Sequence, residues 1–189
     1  MPLDSYLAEF TALLQKVERK DVETLVDALV EAWKDGRWVY IIGNGGSGAN
    51  ASHLAEDLGK GTISDFEKQR RLKVMSLTDN TAYILALGND LGFDRVFLEQ
   101  LKNYAEPGAL LISISGSGNS PNVLKAVEWA NAHDLKTFAF TGYDGGKLRK
   151  MSQHAVHVPS FNMGMVESVH LTVFHYLLDT LHAKFKALS

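Results

Sequence analysis

The stretch "VYIIGNGGSGANASHLAEDLGKG", residues 39–61, passes from an apolar run into a glycine-rich turn, then into a segment carrying one histidine and two acids. A short apolar run such as residues 38–42, rich in β-branched side chains, is the pattern of a strand buried on both faces. The residues from Ser47 onward have helical spacing, so the stretch reads as a strand, a tight turn and a helix. Gly43-x-Gly45-x-x-Gly48 also matches the dinucleotide-binding fingerprint letter for letter. Its surroundings argue against that reading. A dinucleotide unit places an acid about 20 residues beyond its glycines, at the end of the next strand. Here the acid at that strand's end is Asp79, 31 positions after Gly48, and two helical patterns precede the motif. No nucleotide cofactor is expected.

Outward from this unit the same alternation continues. Apolar spacing predicts helices over 3–17 and 22–33 before it. After it come strands at 72–77, 109–114, 137–141 and 154–158. Helices are predicted at about 81–87, at 93–104, from Ser120 onward and at 164–185. Five short apolar strands separated by helices predict an α/β fold, a five-stranded parallel sheet flanked by helices. There is no internal repeat, low-complexity tract or linker. Residues 1–189 are therefore read as one domain, with the helix pair at 1–35 packing on it or on a neighbouring subunit.

Composition narrows the function. A net charge of −3 gives no basic field to recruit nucleic acid. The local basic runs at 68–73 and 147–150 read as solvated surface. The absence of cysteine excludes a disulfide framework, a thiol nucleophile and a thiolate metal site, and suits a cytoplasmic protein. The first 20 residues carry Asp4 and Glu9 with no apolar core, unlike a signal peptide, and no segment has the composition of a membrane span.

Open α/β sheets bind ligands beyond the carboxyl ends of their strands. The loop after the third strand, Ser115-Gly116-Ser117-Gly118-Asn119-Ser120, offers three hydroxyls and two glycines ahead of a helix. A helix N-terminus presents backbone N–H donors and the positive end of a dipole, and glycine lets an anion approach closely. Ser120 is also placed to cap that helix, with Pro121 at its first position. Capping leaves Ser115 and Ser117 unexplained, so the loop is read as a phosphate site. Asn44, Gly45, Gly46 and Ser47 of the first loop supply a second set of donors.

Two helical clusters carry groups for acid–base chemistry. His53 and Asp57 are four residues apart and share a helix face, with Glu56 also within reach of His53. On the last helix, Glu167 and His175 are eight residues apart, about 80° round the helix but about 12 Å along it. One metal could take both only through long, inclined side chains or with a ligand from another subunit. His170 points about 140° away from His175 and reads as a packed histidine.

With these residues in place, "GNGGSGANASHLAEDL", "SISGSGNSPNVLKAVEWA", "TGYDGGKL" and "VESVHLTVFH" resemble the sugar isomerase (SIS) domain family, over nearly the whole chain. Within it they most resemble the phosphoheptose isomerase group, which includes sedoheptulose 7-phosphate isomerases. The resemblance implies a flavodoxin-like three-layer sandwich and a homotetramer with active sites between subunits. It implies phosphate binding by Ser115, Gly116, Ser117 and Ser120, with Asn44, Gly45, Gly46 and Ser47 closing over the sugar. It places zinc or another divalent ion on His53, Asp57, Glu167 and His175, with Asp57 as base, His175 as acid and Glu167 also touching substrate.

This chain departs from the pattern in four places. Asp57 stands where the group has glutamate, Glu167 where it has glutamine, and "NMGMVE" at 162–167 lacks an arginine that often precedes the motif. Asn80 falls where an acid after the second strand is expected, and is read as a substrate contact. Asp57 leaves Glu56 open as an alternative base. The expected activity is a metal-assisted aldose–ketose isomerisation of a sugar phosphate, most closely sedoheptulose 7-phosphate. The competing readings are an isomerase for another sugar phosphate and a non-catalytic regulator of the same fold that binds a protein partner. Regulators of that kind lack the acid and second histidine, which this chain keeps.

Overall fold

The computed structural model describes residues 2–189. Its elements, in order, are α1 (Leu3–Gln15), α2 (Arg19–Asp35), β1 (Trp38–Gly43), α3 (Gly45–Glu56), β2 (Lys73–Ser76), α4 (Thr81–Leu91), α5 (Val96–Tyr104), β3 (Leu110–Ser115), α6 (Pro121–Ala132), β4 (Lys136–Thr141), α7 (Gly146–Met151), β5 (His154–His157) and α8 (Met163–Leu188). The strands form one parallel sheet in the order β2-β1-β3-β4-β5. The chain leaves β1 for β2 on one side and returns to β3 on the other. The carboxyl ends of β1 and β3 therefore flank the crevice where such sheets take ligands.

Alternation along β1 divides the core. Val39 and Ile41 pack with α2, α3 and α8, whereas Tyr40 and Ile42 pack with α5 and α6. A strand covered on both faces needs apolar residues at every position, which is why this run is continuous rather than alternating. The helix pair is unequal. α2 belongs to the main core, with Trp33 stacked on Phe185 of α8 at 4.6 Å. α1 buries only Leu13 fully and leaves Leu3 and Leu7 exposed. α4 buries no residue and exposes Leu85 and Leu91. Among the described residues no helix is long and apolar enough to cross a membrane.

Three local features differ from the pattern read in the sequence. The segment 93–104 is a 3-10 turn, Phe93–Arg95, followed by α5. α7 interrupts the loop after β4, its six residues burying only Leu148, too few for a periodic signal. Beyond α3 the chain widens into a π-helical turn, Asp57–Gly61. That turn lies close against its neighbours, since a Cβ at Gly61 would collide with Leu178 of α8. His182 of α8 also contacts the Gly61 carbonyl, at 2.9 Å. The basic run at 68–73 is partly structural: the Arg70 guanidinium donates to the Trp33 and Lys34 carbonyls at the end of α2.

Candidate active site

The glycines of the first loop are explained by packing. A Cβ at Gly43 would collide with the Ser47 carbonyl, and one at Gly48 would sit 2.9 Å from the Gly43 carbonyl. Both positions therefore serve the close approach of α3 to the end of β1, the same requirement that shapes the dinucleotide fingerprint. Asn44 occupies the cap position of α3 without capping it. Its amide instead exchanges two hydrogen bonds, of 2.8 and 2.9 Å, with the amide of Asn122 on α6. Asn44 thus joins the first loop to the first turn of α6, and the reciprocal pair takes up one donor and one acceptor of its side chain.

The serine loop closes round a cavity of about 100 Å³ lined by Ser47, Ser115, Gly116, Ser117 and Ser120, with Met163 and Glu167 of α8 opposite. Ser120 holds the cap position of α6 with Pro121 behind it, yet its side chain makes no capping bond. Its hydroxyl lies 3.3 Å from that of Ser115. Two hydroxyls that share one hydrogen bond leave one O–H to donate elsewhere. Gly118 adopts φ +63°, and its carbonyl accepts from the Leu148 N–H at 2.9 Å, which fixes the loop against α7.

The second cluster forms where α3 passes into the π turn. The Nε2 atoms of His53 and His175 lie 3.4 and 3.9 Å from the same oxygen of Asp57, Oδ2. That oxygen is buried and accepts no hydrogen bond. One donor atom from each of the three residues lies within 4.8 Å of the others. Burial pushes the Asp57 carboxyl above the usual aspartate range; His53 and His175 oppose the shift and Glu56 adds to it. Two imidazoles and a carboxylate are a donor set suited to zinc or a similar divalent ion, with a coordination position left for solvent or substrate. A buried carboxylate oxygen without a donor fits such an ion.

Glu56 points elsewhere. It is exposed and paired with Lys60 at 3.1 Å, which holds its carboxyl below the usual range. Glu167, expected as a fourth ligand, lies outside the His53–Asp57–His175 cluster of this chain. Its carboxylate rests on the first turn of α3, where a Cβ at Gly46 would collide with both of its oxygens. The rise along α8 separates it from His175 by two turns, about 12 Å, and delivers it to the serine-loop cavity instead. Asn50 donates to its backbone carbonyl at 3.2 Å.

Asn80, read as a substrate contact, uses its side chain to cap α4, accepting from the Tyr83 N–H at 3.1 Å. The acid beside it, Asp79, accepts from the hydroxyls of Ser52 and Thr78. His170 is fully buried, edge-on to Phe140, and its Nε2 lies 3.3 Å from the Thr141 carbonyl. It is a packed residue, as its helical phase indicates. Nothing in the spacing marks Asn122 or Met163, whose places at the site arise from contacts between distant segments.

The SIS domain profile matches residues 5–142, and the chain belongs to the SIS domain family. Within it the chain is similar to phosphoheptose isomerases. It is 36% identical to that of Fusobacterium nucleatum over 182 residues, 94% of this chain and 91% of the relative. Identity to the Pelobacter propionicus enzyme is 39% over 152 residues, 80% of this chain and 78% of the relative. The fold superposes on a phosphoheptose isomerase from Francisella tularensis with a TM-score of 0.88 and 29% identity, covering 96% of both chains.

Proposed function

We propose that this chain is a sugar-phosphate isomerase that interconverts sedoheptulose 7-phosphate and D-glycero-D-manno-heptose 7-phosphate through an enediolate. The observations that carry the reading are the convergence of Asp57 with His53 and His175 and, about two turns away along α8, a serine-lined cavity at the carboxyl ends of β1 and β3. The similarity to phosphoheptose isomerases across most of both chains supports the substrate. The acid and second histidine that separate enzyme from regulator are both in the cluster.

Ser115, Ser117, Ser120 and the α6 N-terminus hold the phosphate, with neutral donors aimed at a dianion. Asp57 takes the proton from C1 and returns it to C2. Its raised pKa suits it as a base better than an exposed aspartate, because basicity rises with pKa. His175 passes a proton between the C1 and C2 oxygens. A divalent ion held by His53, Asp57 and His175 would stabilise negative charge on the enediolate oxygens. The exposed apolar residues of α1 and α4 support assembly into a homotetramer. The test is conversion of sedoheptulose 7-phosphate by the purified protein, followed by separation of the ketose and aldose phosphates. Turnover with this ketose and not with hexulose or pentulose phosphates is expected; turnover only of a shorter sugar would reassign the substrate.

A further inference from the structure

The serine-loop cavity contains an electrostatic contradiction. It is lined by hydroxyls, glycine backbone and a helix N-terminus, all suited to an anion, yet its one charged lining residue is the carboxylate of Glu167. No lysine, arginine or histidine among the described residues forms an ion pair with that carboxylate. It lies against Gly46, on the N-terminal turn of α3, where a helix dipole favours negative charge. Two helix N-termini therefore meet at this crevice. The α6 end, with its serines, remains open to a ligand, whereas the α3 end already faces an anion belonging to the protein.

We infer that Glu167 acts as a charge filter. It weakens binding of free phosphate and of ligands with a second anionic group near the phosphate, and leaves the site selective for monophosphates of neutral sugars. The inference rests on reading the serine loop as the phosphate site, and it assigns to Glu167 the specificity of that same site. The physical basis is plain: two like charges held within one small cavity repel, and more strongly as the water between them is displaced. A neutral sugar offsets that repulsion with hydroxyls, which can donate to the carboxylate. Inorganic phosphate and a sugar bisphosphate lack that compensation or add to the charge.

The test is calorimetric binding of inorganic phosphate and of fructose 1,6-bisphosphate and fructose 6-phosphate to the wild-type protein, Glu167→Gln and Ser117→Ala. Glutamine keeps the shape and removes the charge, and thermal midpoints confirm that each variant is folded. In Glu167→Gln we expect phosphate and bisphosphate to bind at least tenfold more tightly, with the monophosphate changed less. Binding should fall in Ser117→Ala, which locates it in this cavity. Equal or weaker phosphate binding by Glu167→Gln, with Ser117→Ala still impaired, overturns the filter and leaves the phosphate site standing. No loss in Ser117→Ala, or no binding by any of the proteins, overturns the serine-loop reading and the filter with it.

Discussion

The imidazole of His175, near the middle of α8, stands edge-on to that of His53 on α3, with ring centroids 5.3 Å apart and planes at 71°. The contact joins segments more than 120 residues apart in sequence, and both rings turn a nitrogen toward one oxygen of Asp57. This junction defines the candidate catalytic centre, and several expectations depend on it.

Replacing Asp57 with asparagine removes the proposed base while nearly preserving shape. Isomerisation should fall by roughly 10²–10⁴-fold, the usual contribution of a general base. Glu56→Gln should change the rate less than about threefold, because Glu56 is exposed and engaged with Lys60. Steady-state kinetics on the two variants decides between the carboxylates, and a large loss in Glu56→Gln alone would reverse the assignment.

Metal binding should be visible in stability. An ion bound to the folded chain and not to the unfolded one raises the thermal midpoint in proportion to the logarithm of its concentration. Zinc added to chelator-treated protein should therefore raise the midpoint, and His53→Ala and His175→Ala should each remove the effect. Glu167→Gln should keep it, since Glu167 lies outside the cluster of this chain. Calorimetric scans with and without zinc are the check.

Gly118 should tolerate no side chain. Its φ is +63°, and a Cβ would overlap the Gly145 carbonyl, which is backbone and cannot swing aside. Gly118→Ala should cost on the order of 2 kcal/mol or more of stability, as backbone strain and overpacking add. It should also weaken phosphosugar binding by misplacing Ser117 and Ser120. Urea unfolding and a binding isotherm test the two effects separately.

His170 makes folding sensitive to acid. Burial lowers its pKa from the ordinary 6.5 to about 4. Because the unfolded chain takes up this proton near pH 6.5 and the folded chain only near pH 4, stability should decline as pH falls through that window. The loss is at most roughly 3 kcal/mol. Urea midpoints at pH 7.5 and 5.0 should show the decline, and His170→Asn should flatten it. An unchanged slope in the variant would place the titrating group elsewhere.

Much of this arrangement could be read from the sequence where one periodicity governs one element. The strands at 38–42 and 109–114 are continuous apolar runs because the sheet is covered on both faces. The pairing of His53 with Asp57 follows from four-residue spacing on a helix. What escaped was set by relations between segments. Asn44 meets Asn122 across 78 positions, and no local pattern encodes that pair. The π turn at Asp57–Gly61 has no local signature, and at its end Gly61 packs closely against Leu178 of α8. The eight-residue spacing of Glu167 and His175, by contrast, already sets them about 12 Å apart along α8, and only the family resemblance places both on one ion. Asn80 caps α4 while its neighbour Asp79 accepts from the Ser52 hydroxyl, and both side chains remain exposed.

The most direct test of the isomerase reading is NMR in D₂O with sedoheptulose 7-phosphate as substrate. Wild-type protein should exchange a C1 proton for deuterium and produce the aldose phosphate. Asp57→Asn should bind the sugar phosphate and exchange nothing above the uncatalysed rate. If the wild-type protein bound this substrate but neither exchanged C1 nor formed aldose, with or without zinc, the enediolate mechanism assigned to Asp57 and His175 would be contradicted.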